Sequence, residues 1–459
     1  MLNKFFGSKD FYARVMRLML PIMIQNGITN LVNMLDNIMV GQVGTVQMNG
    51  VSVTNQLLFV FNLCVFGAVS GVGIFGSQYF GKGDHKGLRD TFRFKILFCV
   101  LLTVLCMALL LIFGDNLIGL YLKGEGSAGD AKASLYYARQ YMNIMLIGLI
   151  PCTIAQCYSS TLRETGQTFI PMVAGISAVV VNMSLNYVLI FGKLGMPKLG
   201  VAGAAIATVV SRFVEMLVVA GWVTFNRSKN QFIIGAFKSF RVPKALCLGI
   251  CAKGLPLMIN ETLWAAGIAT INQCYSVRGL NVVSAITISQ TFFNVFSVAF
   301  FAVGVAIGII LGQQLGSGDT DKVKDTARHL STFSVLISFG IGAIYYVAAE
   351  FIPFAYNVNS EVKMLATAFM QISALTMPFE AYVNAAYFTL RSGGKTIITF
   401  LFDSLFMWTV AVTAAFILSN YTGLSVVTVY LICQLLNFIK CLVGYIFVSR
   451  GIWIKNIVS

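Results

Sequence analysis

The stretches FGKGDHKGLRDTFR (80–93) and LGSGDTDKVKDTAR (315–328) are one motif written twice. Gly81, Gly83, Asp84, Asp90, Thr91 and Arg93 recur as Gly316, Gly318, Asp319, Asp325, Thr326 and Arg328, at a constant offset of 235 residues. Pro21 and Pro256 keep that offset, and TLRETGQT (161–168) answers TLRSGGKT (389–396) at an offset of 228. The shared residues are loop glycines, acids and arginines, so chance likeness between apolar segments does not account for them. The chain is built from two related halves.

Each half is hydrophobic. Of 459 residues, 57% are hydrophobic and only 11% charged, with a mean hydropathy of +0.81. A soluble domain carries roughly 25% charged residues. Apolar runs of about 20 residues recur throughout, the length a helix needs to cross a bilayer; a barrel would show shorter alternating segments. Twelve spans are predicted, near 15–40, 50–80, 93–114, 135–157, 168–191, 199–224, 246–277, 282–312, 329–350, 363–389, 396–418 and 424–449. Six per half means that both halves start on the same side of the membrane, a parallel repeat about a pseudo-twofold axis along the membrane normal. The expected fold is an all-α polytopic membrane protein with two six-helix lobes, at 1–232 and 233–459. The polar, basic, proline-ended stretch FNRSKNQFIIGAFKSFRVPK (225–244) suits the connection between them.

The net charge of +15 does not point to nucleic acid. Lys and Arg collect at the N-terminus and in the loops after even-numbered spans, the positive bias of cytoplasmic loops. Both termini are therefore expected in the cytoplasm and the chain in the plasma (cytoplasmic) membrane. The basic N-terminus, MLNKFFGSKDFYARVMRLMLP, runs directly into the first span, so no cleaved leader is expected. Ten cysteines lie mostly in apolar segments without a CxxC pair and read as small hydrophobes. The two histidines, His85 and His329, fall in charged loops and leave little for imidazole chemistry.

Within the first span, NGITNLVNMLDNIMVGQVG (26–44) holds Asp36 among Leu35, Ile38, Met39 and Val40. A charged residue at the centre of a membrane helix costs roughly 2.5–3.5 kcal/mol even on lenient scales. At 100° per residue, Gln25, Asn26, Thr29, Asn30, Asn33, Asp36 and Asn37 fall within an arc of about 140°. Asp36 thus belongs to a polar face that looks onto protein or a watery cavity rather than lipid. A packing seam of amides between helices explains the asparagines. It explains the acid poorly, because Asn would serve there without ionising.

Similar faces recur. Glu380, Asn384, Tyr387 and Arg391 follow one helical side in span ten, as do Glu261, Ala265, Ile268 and Asn272 in span seven, with Trp264 alongside. Span eight presents Gln290, Asn294, Ser297 and Phe301, and Asn55 and Asn62 of span two stand opposite Gln290 and Ser297 in the repeat. These faces are expected to line a cleft between the halves. Arg212 and Glu215 read as an i, i+3 pair, Asp403 as a partner of Lys395 or Arg391, and Glu350 as a solvated helix end. The GxGD–DTxR loops read as helix entries with Asp or Thr caps.

Taken in order, MLDNIMVGQVG, GKGD, TLRETG, GVAGAAIAT (200–208), LPLMINETLW, GSGD and TLRSGGKT resemble the multidrug and toxic compound extrusion (MATE) family over essentially the whole chain. The resemblance implies two six-helix lobes around a V-shaped cavity, and export of amphipathic, often cationic compounds against inward flow of Na⁺ or H⁺. Asp36 matches the family's acid in span one, Glu261 the acid in span seven of many members, and Glu380 an acid in span ten. Where some members carry an Asn and then an Asp four residues later in span five, this chain has Asn182 and Asn186. That departure removes one carboxylate from the first lobe. Thr208 stands as the span-six partner.

The expected function is antiport of an amphipathic cation against H⁺ or Na⁺ by alternating access, without a cofactor beyond that ion, by a chain working as a monomer in the lipid bilayer and binding no nucleic acid. A poorly hydrated carboxylate exchanges a proton between two sides; ringed by Asn and Thr oxygens it equally suits a hard cation such as Na⁺. Expected coupling-ion residues are Asp36, Asn33, Asn182, Asn186, Thr208, Glu261 and Glu380, with Na⁺ at Asp36, Asn182 and Asn186 or at Glu261 and Glu380. Expected substrate contacts are Asn30, Asn37, Asn55, Asn62, Trp264, Gln290, Asn294, Phe301, Asn384 and Tyr387. The alternative is a flippase for an amphipathic lipid-linked substrate, which a basic cavity would favour. A membrane enzyme needs a nucleophile–base or metal constellation that the spans do not offer, and a receptor or scaffold has no need of acids in both halves.

Overall fold

The computed structural model describes residues 6–121, 128–356 and 358–458. Twelve long helices account for most of them: α1 (Lys9–Gly41), α2 (Thr45–Lys82), α3 (His85–Tyr121), α4 (Ala128–Glu164), α5 (Phe169–Phe191), α6 (Val201–Phe225), α7 (Lys244–Ser276), α8 (Leu280–Ser317), α9 (Val323–Ala348), α10 (Ser360–Ser392), α11 (Thr396–Tyr421) and α12 (Val426–Arg450). No strand occurs among the described residues. Helices α2 to α12 are each long and apolar enough to cross a membrane, and α1, with its polar stripe, is 33 residues long. The chain is a multi-pass membrane protein.

Each expected span is met by one helix, but several helices outrun their spans. Span three ends at 114, where hydropathy falls, whereas α3 continues to Tyr121. At 1.5 Å per residue its 37 residues reach about 55 Å, well past the roughly 30 Å hydrocarbon core. Hydropathy marks the lipid slab; backbone hydrogen bonding carries the helix beyond it. Prolines sit inside α1 (Pro21), α4 (Pro151), α7 (Pro256) and α10 (Pro378), each removing one helical donor at matched places in the two halves.

The chain resolves into two compact units, one of Ile24–Gly76 with His85–Gly249, the other of Met1–Met23, Ser77–Asp84 and Ile250–Ser459. In the first, here the N-terminal unit, α6 packs on α4 and α5, and α3 on α4. Its connection after α6 is anchored rather than loose. Phe232 is buried against Phe92, with ring centroids 5.0 Å apart, while Arg89 and Arg93 donate to the carbonyls of Ile234, Gly235 and Ala236 at 2.6–2.9 Å.

In the second, the C-terminal unit, α8 and α10 form the principal contact, flanked by α9 and α12. Val15, Leu18, Met19 and Ile22 at the start of α1 join the α8–α10 core, which explains why that half-helix clusters here. The repeat becomes tangible at the end of α2. A Cβ at Gly81 would fall on the Gln313 carbonyl, a Cβ at Gly316 would fall on the Gln78 carbonyl, and Ser77 abuts Gly312. Only glycine lets the two helices approach so closely. The tail after α12 folds back onto the same place. Trp453 is fully buried, and Gln78 donates to the carbonyls of Ser392 and Lys455 while accepting from the Ile457 amide.

The entry to α9 differs from expectation. Its cap residue is Lys322, without a side-chain cap, rather than an Asp or Thr. Gly318, at φ 82°, turns the chain out of α8 instead, and Asp325 pairs with Arg328 at 3.2 Å, as Asp90 does with Arg93 at 2.8 Å. The repeated acids brace the arginines of the next helical turn.

Candidate functional site

In the N-terminal unit the polar stripe of α1 meets α5. Asn186 Nδ2 donates to Asp36 Oδ1 at 2.7 Å and reaches Asn182 Oδ1 at 3.1 Å. Asn182 in turn lies 3.2 Å from Thr208 Oγ1 on α6. Turning the Asn182 amide over places its nitrogen 3.1 Å from both carboxylate oxygens of Asp36, with its oxygen accepting from Thr208. That orientation satisfies acid and hydroxyl together. Asn182 and Asn186 are buried while Asp36 is half-buried. Asn186 Oδ1 is buried without a hydrogen-bond partner.

Asp36 is held by amides. None of the ion pairs among the described residues includes it. Arg212 is near enough to act on it electrostatically, but its guanidinium is bonded to Glu215 at 3.0 Å, the pair that the i, i+3 spacing predicts. Tyr141, a buried residue of α4, stands close enough to Asn55, Thr208 and Asp36 to act on them electrostatically. Asn30 is half-buried on the same helix as Asp36. Asn62 is exposed and turns its amide back to its own helix, on Leu58 O at 2.9 Å. The side chains of Asn33 and Asn37 lie outside the described residues.

The C-terminal unit contains a different arrangement. The Tyr387 hydroxyl donates to Glu261 Oε1 at 2.7 Å, and Arg391 Nη1 stands 4.0 Å from the same oxygen. The Arg391 guanidinium also lies 5.1 Å from the centre of the Phe388 ring. Next to Glu261, Asn260 Nδ2 donates to Asp403 Oδ2 at 2.9 Å and Ser404 Oγ donates to Asn260 Oδ1 at 2.7 Å. The other Asp403 oxygen accepts from Lys440 Nζ at 2.6 Å. Glu380 accepts from Asn437 of α12 and lies within electrostatic range of both Lys440 and Asp403.

The expected partner of Asp403 is therefore corrected. It is Lys440 on α12, not Lys395 or Arg391. Arg391 is the nearest charge to Asp403 along span ten, but the fold directs it to Glu261. Asp403 also sits in the first of two stretches of α11, Leu401–Leu405 and Met407–Val412, that are wound as π turns. Such widened turns are rare and tend to mark functional positions.

Of the expected substrate contacts in this unit, Gln290 donates to Asn272 Oδ1 at 2.8 Å. Asn384 faces Gly304 with its buried oxygen unpartnered. Trp264 is half-buried, Asn294 is exposed, and Phe301 packs beside Phe300 with centroids 4.7 Å apart. Among the described residues no three His, Cys, Asp or Glu side chains stand close enough together to hold a metal ion. Sequence reasoning missed Asn260, Asn437, Lys440 and Tyr141. A signal existed for Lys440, a lone cation inside LLNFIKCLVGY (435–445). Lys95, two residues after Arg93, lacks that signal; its fully buried ammonium bonds Glu164 at 2.6 Å and Thr161 at 2.9 Å in the N-terminal unit.

The MatE family model matches residues 21–188 and 256–417. The probable multidrug resistance protein NorM of Thermotoga maritima is 25% identical over 415 residues, covering 90% of this chain and 86% of the relative. The multidrug resistance protein PmpM of Pseudomonas aeruginosa is 24% identical, covering 84% and 80%. Among solved structures, a mutant of the Vibrio cholerae MATE transporter VcmN superposes with a TM-score of 0.86 at 16% identity, over 96% of this chain and 97% of that one. A MOP superfamily transporter from Pyrococcus furiosus, described by the reverse polarity of its binding pocket, superposes with a TM-score of 0.84 at 18% identity, over 95% of each chain.

Proposed function

The chain belongs to the MatE family of multidrug efflux transporters, and from that premise we propose that it exports amphipathic cations in exchange for H⁺ or Na⁺ bound at Asp36. The observation that carries this reading is the company Asp36 keeps. Its charge faces the amides of Asn186 and Asn182 and no directly bonded cation. A carboxylate so placed gains from an arriving positive charge. Asn186 Oδ1, buried and without a partner, supplies a second oxygen beside it. A proton on Asp36, or Na⁺ among the oxygens of Asp36, Asn182, Asn186 and Thr208, meets the same need.

Coupling then follows from differential binding. An ion that favours one arrangement of the helices and a cargo that favours the other drive alternation; equal affinity for both drives nothing. A cationic cargo competes with the coupling ion for the same uncompensated charge, which makes their exchange obligatory. The flippase alternative needs an unneutralised basic cavity for a phosphate. Arg212, Arg391 and Lys440 instead each face a carboxylate.

The test is efflux of a fluorescent organic cation from proteoliposomes under an imposed Na⁺ or pH gradient, for wild type and Asp36→Asn. Efflux that follows one gradient and vanishes in the variant supports the reading. Efflux that survives in Asp36→Asn removes Asp36 from the coupling step, and a dye that neither gradient moves removes cation antiport.

A further inference from the structure

The C-terminal unit gathers three carboxylates, Glu261, Glu380 and Asp403, against two bases, Arg391 and Lys440. Arg391 belongs to α10 and is fastened by its own neighbours, facing Glu261 and lying over the rings of Phe388 and Tyr387. Lys440 is different. It enters alone from α12, its side chain 7% exposed, and delivers its ammonium to Asp403 Oδ1 over the faces of Phe402 and Phe406, at 5.3 and 5.8 Å from their centres. That ammonium bonds one oxygen of Asp403; the other accepts from the Asn260 amide, whose own oxygen accepts from Ser404, and Glu380 lies within electrostatic range.

We propose that Lys440 is a tethered counter-ion that holds the place of an exchangeable cation at Asp403 and thereby keeps dissolved cations from that acid. An ammonium and Na⁺ carry the same charge. The ammonium, however, is held on a four-carbon stem from a packed helix, so a dissolved ion competes with a partner of far higher effective concentration. The rings of Phe402 and Phe406 favour the bound ammonium further. Lys440 is thus a specificity-determining residue. It withdraws Asp403 from exchange with dissolved cations. That exclusion stands apart from whether Asp36 is the coupling acid.

The experiment reads ion binding in detergent rather than efflux, in an Asp36→Asn background, so that its outcome is independent of whether Asp36 couples transport. Thermal unfolding midpoints are recorded in NaCl and in choline chloride at equal ionic strength. Asp36→Asn alone is expected to show no difference between the salts. Adding Lys440→Met or Lys440→Gln is expected to create a saturable rise of about 2 °C or more in Na⁺. Lys440→Arg restores the charge and is expected to abolish the rise, as is Asp403→Asn added to Lys440→Gln.

A purely structural Lys440 predicts lower midpoints that ignore the choice of salt, and that result overturns the proposal. A Na⁺ response in Asp36→Asn alone that Asp403→Asn removes overturns it too. Should the neutral variants fail to survive purification in choline, recovery of folded protein by NaCl supports the proposal, and equal loss in both salts counts against it.

Discussion

Asp36 and Asp403 are both aspartates on membrane-length helices, each bonded to an asparagine, yet their remaining partners differ in charge. Asp36 has amides from Asn186 and Asn182 on α5. Asp403 has one amide, from Asn260, and one ammonium, from Lys440. Amides stabilise a carboxylate without cancelling it, so the N-terminal site keeps a standing demand for positive charge. The ammonium cancels it, and Asp403 is closed to exchange. The same residue type in the same fold is in one case suited to exchange and in the other to be locked.

The sharpest way to break this contrast is to remove each acid in turn. Asp36→Asn is expected to reduce gradient-driven efflux to that of protein-free liposomes while leaving the unfolding midpoint nearly unchanged, since no ion pair is lost. Asp403→Asn is expected to do the reverse at the level of stability. It strands a buried ammonium, at a cost of about 3–5 kcal/mol in denaturant unfolding. The double variant Asp403→Asn with Lys440→Met, which removes both charges, should recover most of that loss. If Asp36→Asn destabilises as much as Asp403→Asn, the two sites are not different in kind.

A smaller effect sharpens the picture within the C-terminal unit. Tyr387→Phe deletes the hydroxyl that donates to Glu261. Hydrogen bonds to charged groups contribute about 1.5–3 kcal/mol, so unfolding should register a loss in that range. Smaller still, Asn186→Ala removes one donor from Asp36 and one oxygen from beside it. It is expected to weaken the apparent affinity for the coupling ion about tenfold, equivalent to ~1.4 kcal/mol, read from the ion dependence of efflux. A change in maximal rate with affinity intact would assign Asn186 to the helix motion instead.

Twelve helices and their doubling are legible in the sequence because lipid imposes a length and a polarity that no local propensity overrides. The stripe around Asp36 is legible for the same reason, since a helix has one period and polar residues must share a side. What periodicity gives is a face, never the neighbour across from it. Closeness along the chain offers Asp403 Lys395 or Arg391, whereas its partner lies on the next helix, 37 residues on. The π turns of α11 disturb the angular bookkeeping further, since each adds residues to a turn that a 3.6-residue period does not anticipate. Asn260 is not legible beside Glu261 because adjacent helical residues point about 100° apart, so a stripe through the acid leaves it out.

Where α2 crosses α8, residue 77 meets 312, 78 meets 316 and 313 meets 81, so the first contact is its own image and the other two are images of each other when the halves are exchanged. That is the pattern of an isologous interface, the self-complementary seam of a twofold dimer, here enclosed in one polypeptide. In a pair of identical chains a single substitution would strike both sides of such a seam at once. Fusion frees the two sides to vary, yet glycine persists on both because each backbone is the other's wall. Away from the seam the likeness is uneven. Glu164 has Ser392 as its counterpart and Lys95 has Leu330, so the buried pair of one half has no double in the other. Descent from a duplication constrains the geometry where backbones touch and releases the chemistry elsewhere, leaving one ancestral half free to keep an open acid while its twin acquired a resident cation.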